Sequence, residues 1–318
     1  MNILVTGGLG LIGHNVVQRL ETLGYTVAVT DICTNYGCIP QQEIDYLIST
    51  RKPKIKSAAV YRIDVADSLG IDWLFDKFQP EIVIHLASFP RQKVVNANPA
   101  LGSRVMSEGL LNLLEAAKKY KTQKFVYTSS SMVYGDFTDF VTEDAVCKPQ
   151  GQYGIMKLAG EWLIRDYQKH GLDHVILRPS AVYGPSDVED RVISKFLLTA
   201  MRGGTLKVNG VNETLDFTYV DDAADGIVAS ALSDNTNNKT YNITKSHSTT
   251  LIDAAKMAVA LAGRGSIEVR DKDADFPSRG ALNIDAARRD FGFNPKVDVA
   301  EGFEIYYNWL KSDPYFSA

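Results

Sequence analysis

The chain has 318 residues, of which 45% are hydrophobic and 23% charged, a composition typical of a globular protein large enough for a full core. Its net charge of -4 and its lack of Lys/Arg runs argue against nucleic acid or an anionic membrane as the main partner. No apolar stretch approaches the roughly 18 residues of a membrane span, and the first residues do not resemble a signal peptide. We therefore expect a soluble, cytoplasmic protein.

Cysteine usage argues against disulfides and metal sites. Cys33, Cys38 and Cys147 are too few and too scattered for a disulfide framework. Cys33 and Cys38 lack a second pair of ligands at zinc spacing. We expect reduced cysteines and no metal.

Apolar runs alternate with helical patterns through the first half of the chain. The predicted strands are Ile3–Thr6, Thr26–Thr30, Ala59–Ile63, Ile82–Leu86, Phe125–Thr128 and Val175–Leu177. The predicted helices are Gly13–Leu23, Leu101–Lys119 and Tyr153–His170, together with a short helix at Gln41–Ser49 inside a polar surface insertion, Asn35–Ser57. This alternation predicts an α/β fold, a Rossmann-type doubly wound parallel sheet with helices on both faces.

The pattern changes after Arg178, where Gly and Pro are more frequent and short strands mix with helices at Asp221–Leu232 and Thr250–Ala262. We predict a sheet domain at residues 1–178 and a smaller mixed α/β domain at 179–318, with some elements interleaved. Ligands of such open sheets bind beyond the carboxyl ends of the strands, so the second domain should close a cleft there.

A glycine-rich turn, Thr6-Gly7-Gly8-Leu9-Gly10-Leu11-Ile12-Gly13, follows the first strand and opens a helix. Gly7 permits the tight turn, Gly10 lets backbone approach a pyrophosphate, and Gly13 lets helix and strand pack closely. The helix N-terminus then stabilises the phosphate charge. The position and spacing of these glycines predict a dinucleotide site.

Two carboxylates follow the next strands. Asp31 ends the second strand, where it would accept hydrogen bonds from the adenosine ribose and repel a 2′-phosphate. No Arg or Lys lies between Arg19 and Arg51 to bind that phosphate, so NAD is predicted rather than NADP. Asp64 ends the third strand, where it could meet the adenine amino group.

A Tyr-x-x-x-Lys pair could supply the base that alcohol oxidation requires. A tyrosine pKa near 10 is too high at neutral pH, but an ammonium one helical turn away would lower it. The spacing occurs four times in this chain, so the pair alone is weak evidence. Only Tyr153 and Lys157 lie at a helix start shortly after a strand that ends in hydroxyl residues, Thr128 to Ser131.

Motifs along nearly the whole chain resemble the extended short-chain dehydrogenase/reductase family, in particular its nucleotide-sugar epimerase and dehydratase branch (UDP-glucose 4-epimerase-like). They are Thr6–Gly13, His85-Leu86-Ala87-Ser88, Asn112-Leu113-Leu114-Glu115-Ala116, Ser129–Gly135, Tyr153–Lys157, Leu177-Arg178-Pro179, Tyr183-Gly184-Pro185 and Asp216-Phe217-Thr218-Tyr219-Val220-Asp221-Asp222. The resemblance implies that Ser130 and Tyr153 are catalytic and that Lys157 bonds the nicotinamide ribose. It further implies NAD contacts at Leu11, Ile12, Asp64, Val65, Leu86, Ala87, Ser88 and Ser180.

The resemblance also narrows the reaction. Family dehydratases carry an Asp-Glu pair after the catalytic Thr, and the decarboxylating branch usually has a Glu at the second place. Here Ser131 and Met132 occupy those places, and Met132 cannot exchange protons. We therefore expect NAD-dependent epimerisation of a nucleotide sugar, with a UDP-sugar as first choice, at C4 through a 4-keto intermediate. A dehydrogenase or ketoreductase of a nucleotide sugar, or of an unactivated sugar or sugar acid, would use the same residues. A non-catalytic NAD-sensing regulator would need no proton relay.

Three positions depart from the family pattern. An Asn before the Asn112 segment is Met106, an Asn after the Leu-Arg pair is Ala181, and an Arg that pairs with the diphosphate is Leu215. Other cations could substitute, or the substrate could lack the usual nucleotide diphosphate. Loop positions suggest Arg91, Lys93, Arg191 and Arg279 as such cations, and Ser88 and Ser130 as further substrate contacts.

The predicted helices Leu101–Lys119 and Tyr153–His170 both carry apolar stripes. In the family that the chain resembles, this pair of helices forms a four-helix dimer interface. The alternative is that both stripes only cover the sheet. We expect a homodimer.

Overall fold

The central sheet is the frame of the molecule, whose computed structural model describes residues 1–34, 39–89 and 91–317. The strands are β1 (Asn2–Thr6), β2 (Thr26–Thr30), β3 (Ala59–Tyr61), β4 (Ile82–His85), β5 (Lys124–Thr128), β6 (Asp173–Pro179), β7 (Val182–Tyr183), β8 (Thr205–Asn209), β9 (Thr214–Asp216), β10 (Thr218–Tyr219), β11 (Lys239–Ile243), β12 (Ser248–Thr250) and β13 (Ser266–Arg270). Within the described residues, seven parallel strands form this sheet in the order β11-β6-β5-β4-β1-β2-β3. The predicted doubly wound fold is confirmed.

Helices cover both faces of the sheet. They are α1 (Leu11–Thr22), α2 (Gln41–Arg51), α3 (Ser68–Phe78), α4 (Gln92–Ala97), α5 (Pro99–Ser103), α6 (Gly109–Lys119), α7 (Gly151–Tyr167), α8 (Val192–Met201), α9 (Val220–Leu232), α10 (Leu251–Ala262), α11 (Asp285–Phe291) and α12 (Val299–Ser312). Two buried apolar clusters fill the two sides of the sheet: one includes Phe75, Leu110 and Phe125, the other Val16, Leu177 and Ile227.

One predicted helix, Leu101–Lys119, is interrupted in the structure. Its residues belong to α5, a π-helical turn at Arg104–Glu108 and α6. Periodicity alone could not reveal this turn, because a π-turn adds one residue without removing the apolar stripe. The predicted surface insertion contains α2 as expected, while Asn35 and Cys38 lie outside the described residues.

The last strand of the central sheet comes from the second half of the sequence. Strand β11 pairs in parallel with β6, from Lys239 with Val175 to Ile243 with Pro179. Helix α9, which precedes β11, packs against α1, and Ile243 lies in the same buried cluster as Val16. The two halves of the chain are therefore interleaved at this edge of the sheet, whereas the division at residue 178 stays a prediction.

The rest of the second half forms a separate cluster above the carboxyl ends of the strands. Helices α8, α10 and α12 enclose a buried core that includes Leu197, Ala255 and Phe303. Strands β8 and β13 pair in parallel at its edge. An isolated β-bridge joins Phe137 to Arg279 and connects this unit to the loop after β5. No helix among the described residues is long and apolar enough to cross a bilayer.

Candidate active site in the cleft above the sheet

A cleft of about 1210 Å³ lies between the carboxyl ends of the strands and the second unit. All residues that the sequence singled out for cofactor, catalysis or substrate line this cleft. They are Gly7, Gly10, Leu11, Ile12, Gly13, Asp31, Asp64, Val65, Leu86, Ala87, Ser88, Arg91, Lys93, Ser130, Tyr153, Lys157, Ser180, Arg191 and Arg279. The fold thus gathers residues from both halves of the chain around one space.

The glycine-rich turn has the geometry that close approach requires. Gly7 has φ +69°, and a Cβ on Gly13 would lie 2.1 Å from the Gly7 carbonyl oxygen, so neither position accepts a side chain without strain. Gly10 precedes α1 and provides no side-chain cap. The first amides of α1 are left without intrahelical partners at the cleft, which suits a pyrophosphate.

Asp31 lies beside this turn at the end of β2. Its Oδ2 accepts a hydrogen bond from the Leu9 amide at 3.0 Å and its Oδ1 accepts one from the Cys33 amide at 2.9 Å. Burial raises the pKa of Asp31, and these amides oppose the rise. The side chain is thus fixed at the cleft, with further lone pairs available to ribose hydroxyls.

Arg51, at the end of α2, is a buried residue that connects distant segments of the backbone. It is 5% exposed; Nη1 donates to the Leu9 carbonyl at 3.0 Å and Nη2 to the Ser186 carbonyl. The guanidinium therefore joins α2 to the glycine-rich turn and to the loop after β7. No sequence pattern marks this role, because its partners are backbone atoms from distant segments.

The tyrosine and the serine predicted for catalysis line the same cleft. Ser130 Oγ accepts a hydrogen bond from the Met132 amide at 3.2 Å. Burial raises the pKa of Tyr153, while Arg191, the Ser130 hydroxyl and Arg279 lower it in part. Desolvation thus favours the neutral phenol, whereas the two positive charges favour the phenolate.

Lys157 lies one turn further along α7. Its Nζ donates to the Thr128 carbonyl at 2.7 Å and lies 5.9 Å from the centroid of the Tyr153 ring. Burial lowers the pKa of Lys157 to about 7, against the opposing effect of Glu161. The sequence predicted that Lys157 would lower the pKa of Tyr153, whereas the charges that do so in the structure are those of Arg191 and Arg279.

Several polar atoms of the cleft residues are buried without a partner in the described structure. They are Nε of Arg91, Arg191 and Arg279, Oε1 of Gln92 and Oγ1 of Thr128. Such atoms are rare in native proteins and point to a polar ligand. Gln92, which no sequence pattern indicates, is 3% exposed and donates from its amide to the Asp275 carbonyl.

The three arginines differ in their partners. Arg91 forms a salt bridge with Asp190, and Nε of Arg191 lies 4.0 Å from Oδ1 of the buried Asp187. Arg279 has no salt bridge among the described residues, and burial lowers its pKa to about 10. A partly buried guanidinium without a salt bridge is the best candidate to receive an anionic ligand.

The three positions that depart from the family pattern have separate environments. Met106 lies in the π-turn and in the buried core, and Leu215 lines the cleft without charge. Ala181 has φ +37°, a conformation that Asn adopts more readily than Ala. Relative to the family pattern, two amides and a guanidinium are thus replaced by apolar side chains at these three positions, and a cleft is nevertheless present.

The parallel sheet, the glycine-rich turn and the hydroxyl, phenol and amine at one end of the cleft define a dinucleotide-dependent enzyme of the Rossmann class. Residues 3–244 match the NAD dependent epimerase/dehydratase family. The chain belongs to this family, and both the predicted resemblance and NAD as cofactor are confirmed.

Similar proteins extend this comparison over nearly the whole chain. A putative UDP-glucose 4-epimerase of Methanocaldococcus jannaschii is 30% identical, covering 98% of this chain and 99% of its own length. The structure of UDP-glucuronic acid 4-epimerase from Bacillus cereus, with UDP-glucuronic acid and NAD, has a TM-score of 0.90 at 27% identity, covering 98% and 99%. That of UDP-glucose 4-epimerase from Thermotoga maritima, with UDP-glucose, has a TM-score of 0.86 at 26% identity and the same coverage.

The geometry at Asp31 generates a test of cofactor choice. Asp31→Asn should weaken NAD binding about 10- to 100-fold, since a charged acceptor for the ribose is lost. It should weaken NADP binding less, because the charge that repels a 2′-phosphate is also lost. Calorimetric titration of cofactor-stripped protein measures both affinities, with Asp76→Asn on the exposed face of α3 as control. An unchanged ratio of the two affinities would contradict the assignment.

Proposed function

We propose that this protein is an NAD-dependent epimerase that inverts C4 of a nucleotide sugar, with a UDP-hexose as substrate. The observation that carries the proposal is that Ser130, Tyr153 and Lys157 line the same cleft as the glycine-rich turn. The similarity to 4-epimerases of UDP-glucose and UDP-glucuronate over 98% of the chain supports the substrate class.

The residues of the cleft have distinct tasks in this reaction. Tyr153 takes the proton of the C4 hydroxyl, Ser130 holds the same oxygen by a hydrogen bond, and Lys157 supplies positive charge and a donor toward the nicotinamide ribose. A bound NAD would supply the acceptor and the donor for the C4 hydride, which the epimerisation exchanges between the two faces of the sugar. Tyr153 then gives the proton back to the oxygen.

Elimination of water is a poor fit to this site. It would require an acid and a base beyond Tyr153, and the adjacent positions are Ser131 and Met132. Ser131 pairs with Ser180 at 3.2 Å between their hydroxyl oxygens, and Met132 is buried and aprotic. A net dehydrogenase would use the same three residues but exchange its cofactor at every turnover. The two reactions differ in products, which makes them separable by experiment.

The principal test uses Tyr153→Phe with UDP-glucose and UDP-glucuronate. The variant should retain NAD, since its ring still packs in the cleft, and lose turnover by ~10²-fold or more because the base is gone. NMR analysis of products from the wild-type protein should find the C4 epimer without added cofactor. Near wild-type activity in the variant would remove Tyr153 from the mechanism, and stoichiometric NADH release would favour a dehydrogenase.

We also propose that Arg279, with Arg191 and Arg91, holds the anionic part of the substrate in place of the arginine that Leu215 replaces. Backbone contacts fix Arg279: it bridges to Phe137, and its carbonyl accepts a hydrogen bond from Thr214. Its guanidinium lowers the pKa of Tyr153, which places its charge within electrostatic reach of the reacting end.

Arg279→Met should raise the KM for the nucleotide sugar by ~10-fold or more, because a charge-assisted hydrogen bond to the substrate is lost. NAD affinity should not change. Arg288→Met on α11, where the side chain is half exposed, removes an arginine at a distance from the cleft and serves as control. Equal KM values for Arg279→Met and the control would exclude Arg279 from substrate binding.

We further propose a homodimer formed through α6 and α7, in a cytoplasmic enzyme whose thiols at Cys33 and Cys147 are free. Leu111 on α6 and Ile155 and Trp162 on α7 are exposed apolar side chains, and Trp162 is 65% exposed. Large apolar groups on adjacent helices are typical of an interaction surface.

Trp162→Glu should convert the dimer to a monomer in light scattering after gel filtration, because it places a charge in the proposed apolar interface. Trp73→Glu, a substitution of the other half-exposed tryptophan on α3, should leave the dimer intact. A wild-type protein that is monomeric at micromolar concentration would overturn the proposal.

A further inference from the structure

A buried ion pair lies directly behind the proposed redox centre. Glu161 on α7 is 0% exposed, and both of its oxygens accept from Arg178 on β6, Oε1 from Nε at 2.9 Å and Oε2 from Nη2 at 2.7 Å. Ser129 donates to Oε1 at 2.6 Å, and Arg165 donates to Oε2 at 3.1 Å. The carboxylate is therefore fixed by four hydrogen bonds from α7, β6 and the end of β5.

The position of Glu161 on its helix relates it to the chemistry. Tyr153, Lys157 and Glu161 follow one another at intervals of four residues, so they lie on one face of α7 in successive turns. Lys157 donates to the Thr128 carbonyl rather than to Glu161, so the relation between the two side chains is electrostatic.

The remaining surroundings of Lys157 offer little compensation for its charge. Nζ lies 5.1 Å from the centroid of the Tyr127 ring on β5, and the ring of Tyr153 is on its own helix. The nearest titratable group on β4 is His85, whose pKa burial and the charge of Lys157 lower to about 3, so it stays neutral. Among the described residues, Glu161 is the carboxylate that raises the pKa of Lys157.

Glu161 is held in its ionised form. Burial alone would raise the pKa of Glu161, but Arg178, Ser129 and Arg165 together hold it below its ordinary value. The ion pair with Arg178 thus keeps a negative charge at a place where an isolated carboxylate would take up a proton.

We propose that Glu161 is a positioning residue for the redox centre: its carboxylate, one helical turn beyond Lys157, keeps the buried ammonium charged beside Tyr153. The inference rests on the proposed function for the role of Lys157 in the reaction. A purely structural Glu161 would join α7 to β6 and have no influence on the protonation of Lys157.

The sign of the effect follows from the charges. Lys157 is needed as an ammonium, so the alkaline limb of the pH profile of kcat/KM reports its deprotonation. Glu161→Gln removes the compensating charge and should move the midpoint of that limb to lower pH by about one unit. At a fixed pH well above both midpoints, kcat/KM then falls about tenfold relative to the wild type.

Two further variants separate electrostatics from packing. Arg165→Gln removes one hydrogen bond that is donated to the Glu161 carboxylate, and it also removes one positive charge. The midpoint of the alkaline limb should therefore stay or move slightly upward. The double variant Glu161→Met with Arg178→Met replaces the ion pair by apolar groups, a change that proteins often tolerate. It removes one charge of each sign, so its midpoint should lie between those of the wild type and of Glu161→Gln. A downward shift in Arg165→Gln equal to that in Glu161→Gln, or no shift in Glu161→Gln, would overturn the proposal.

An activity-independent measurement distinguishes this proposal from the proposed function. NMR titration of protein labelled at the lysine ε-carbons gives the pKa of Lys157 directly, with Lys157→Met identifying its signal. A lower pKa in the Glu161 variants supports the electrostatic role even if no nucleotide sugar is turned over. An unchanged pKa would contradict it even if the enzyme proves to be an epimerase.

Discussion

The Lys157 ammonium bonds to the Thr128 carbonyl at the point where β5 leaves the sheet, in a region from which water is largely excluded. Burying such a charge is costly, and the cost falls as a carboxylate and a carbonyl replace its hydration. The same desolvation raises the pKa of Tyr153 and lowers that of Lys157, which works against the ionic forms that the chemistry needs. The fold around the cleft supplies fixed charges and dipoles that partly reverse both shifts.

These charges come from separate parts of the fold. Glu161, on the next turn of α7, raises the pKa of Lys157. Arg191 and Arg279 lower the pKa of Tyr153 from the second unit across the cleft. The proposed redox centre therefore depends on the packing of the two units as well as on the spacing of residues along α7. Under the proposed function, a substrate anion bound at the arginines would neutralise charge that otherwise favours the phenolate, and this would couple substrate binding to the acidity of Tyr153.

The sequence predicted the parts of the molecule that are local in the chain. The strands of the sheet, the glycine-rich turn and Asp31 each have a signal in apolar periodicity or residue spacing, and all lie where they were expected. The edge strand β11 was missed because it is short and polar at its start, and its partner β6 is distant in sequence. Arg51, Gln92 and Glu161 were missed because their importance comes from contacts that only the folded chain creates. Glu161 did have a signal, its four-residue interval from Lys157.

The substrate end of the cleft was the least predictable part for the same reason. Loop residues such as Arg191 and Arg279 lie outside regular strands and helices, so no periodicity fixes where they point. What the structure adds is their partners: Asp187 for Arg191, and for Arg279 the electrostatic influence of Glu213 without a salt bridge among the described residues. The loss of charge at Leu215 is thus accompanied by an available guanidinium nearby in the same cleft.

The return of β11 to the edge of the sheet has a consequence for biosynthesis. Because β11 and α9 are translated long after β6, the nascent chain leaves one side of β6 and the apolar face of α1 uncovered until residue 243 has emerged. Pairing of such distant segments is slow and prolongs the exposure of an open strand edge. The ribosome must therefore complete most of the polypeptide before the coenzyme pocket can mature, and chaperone protection during that interval would be an advantage.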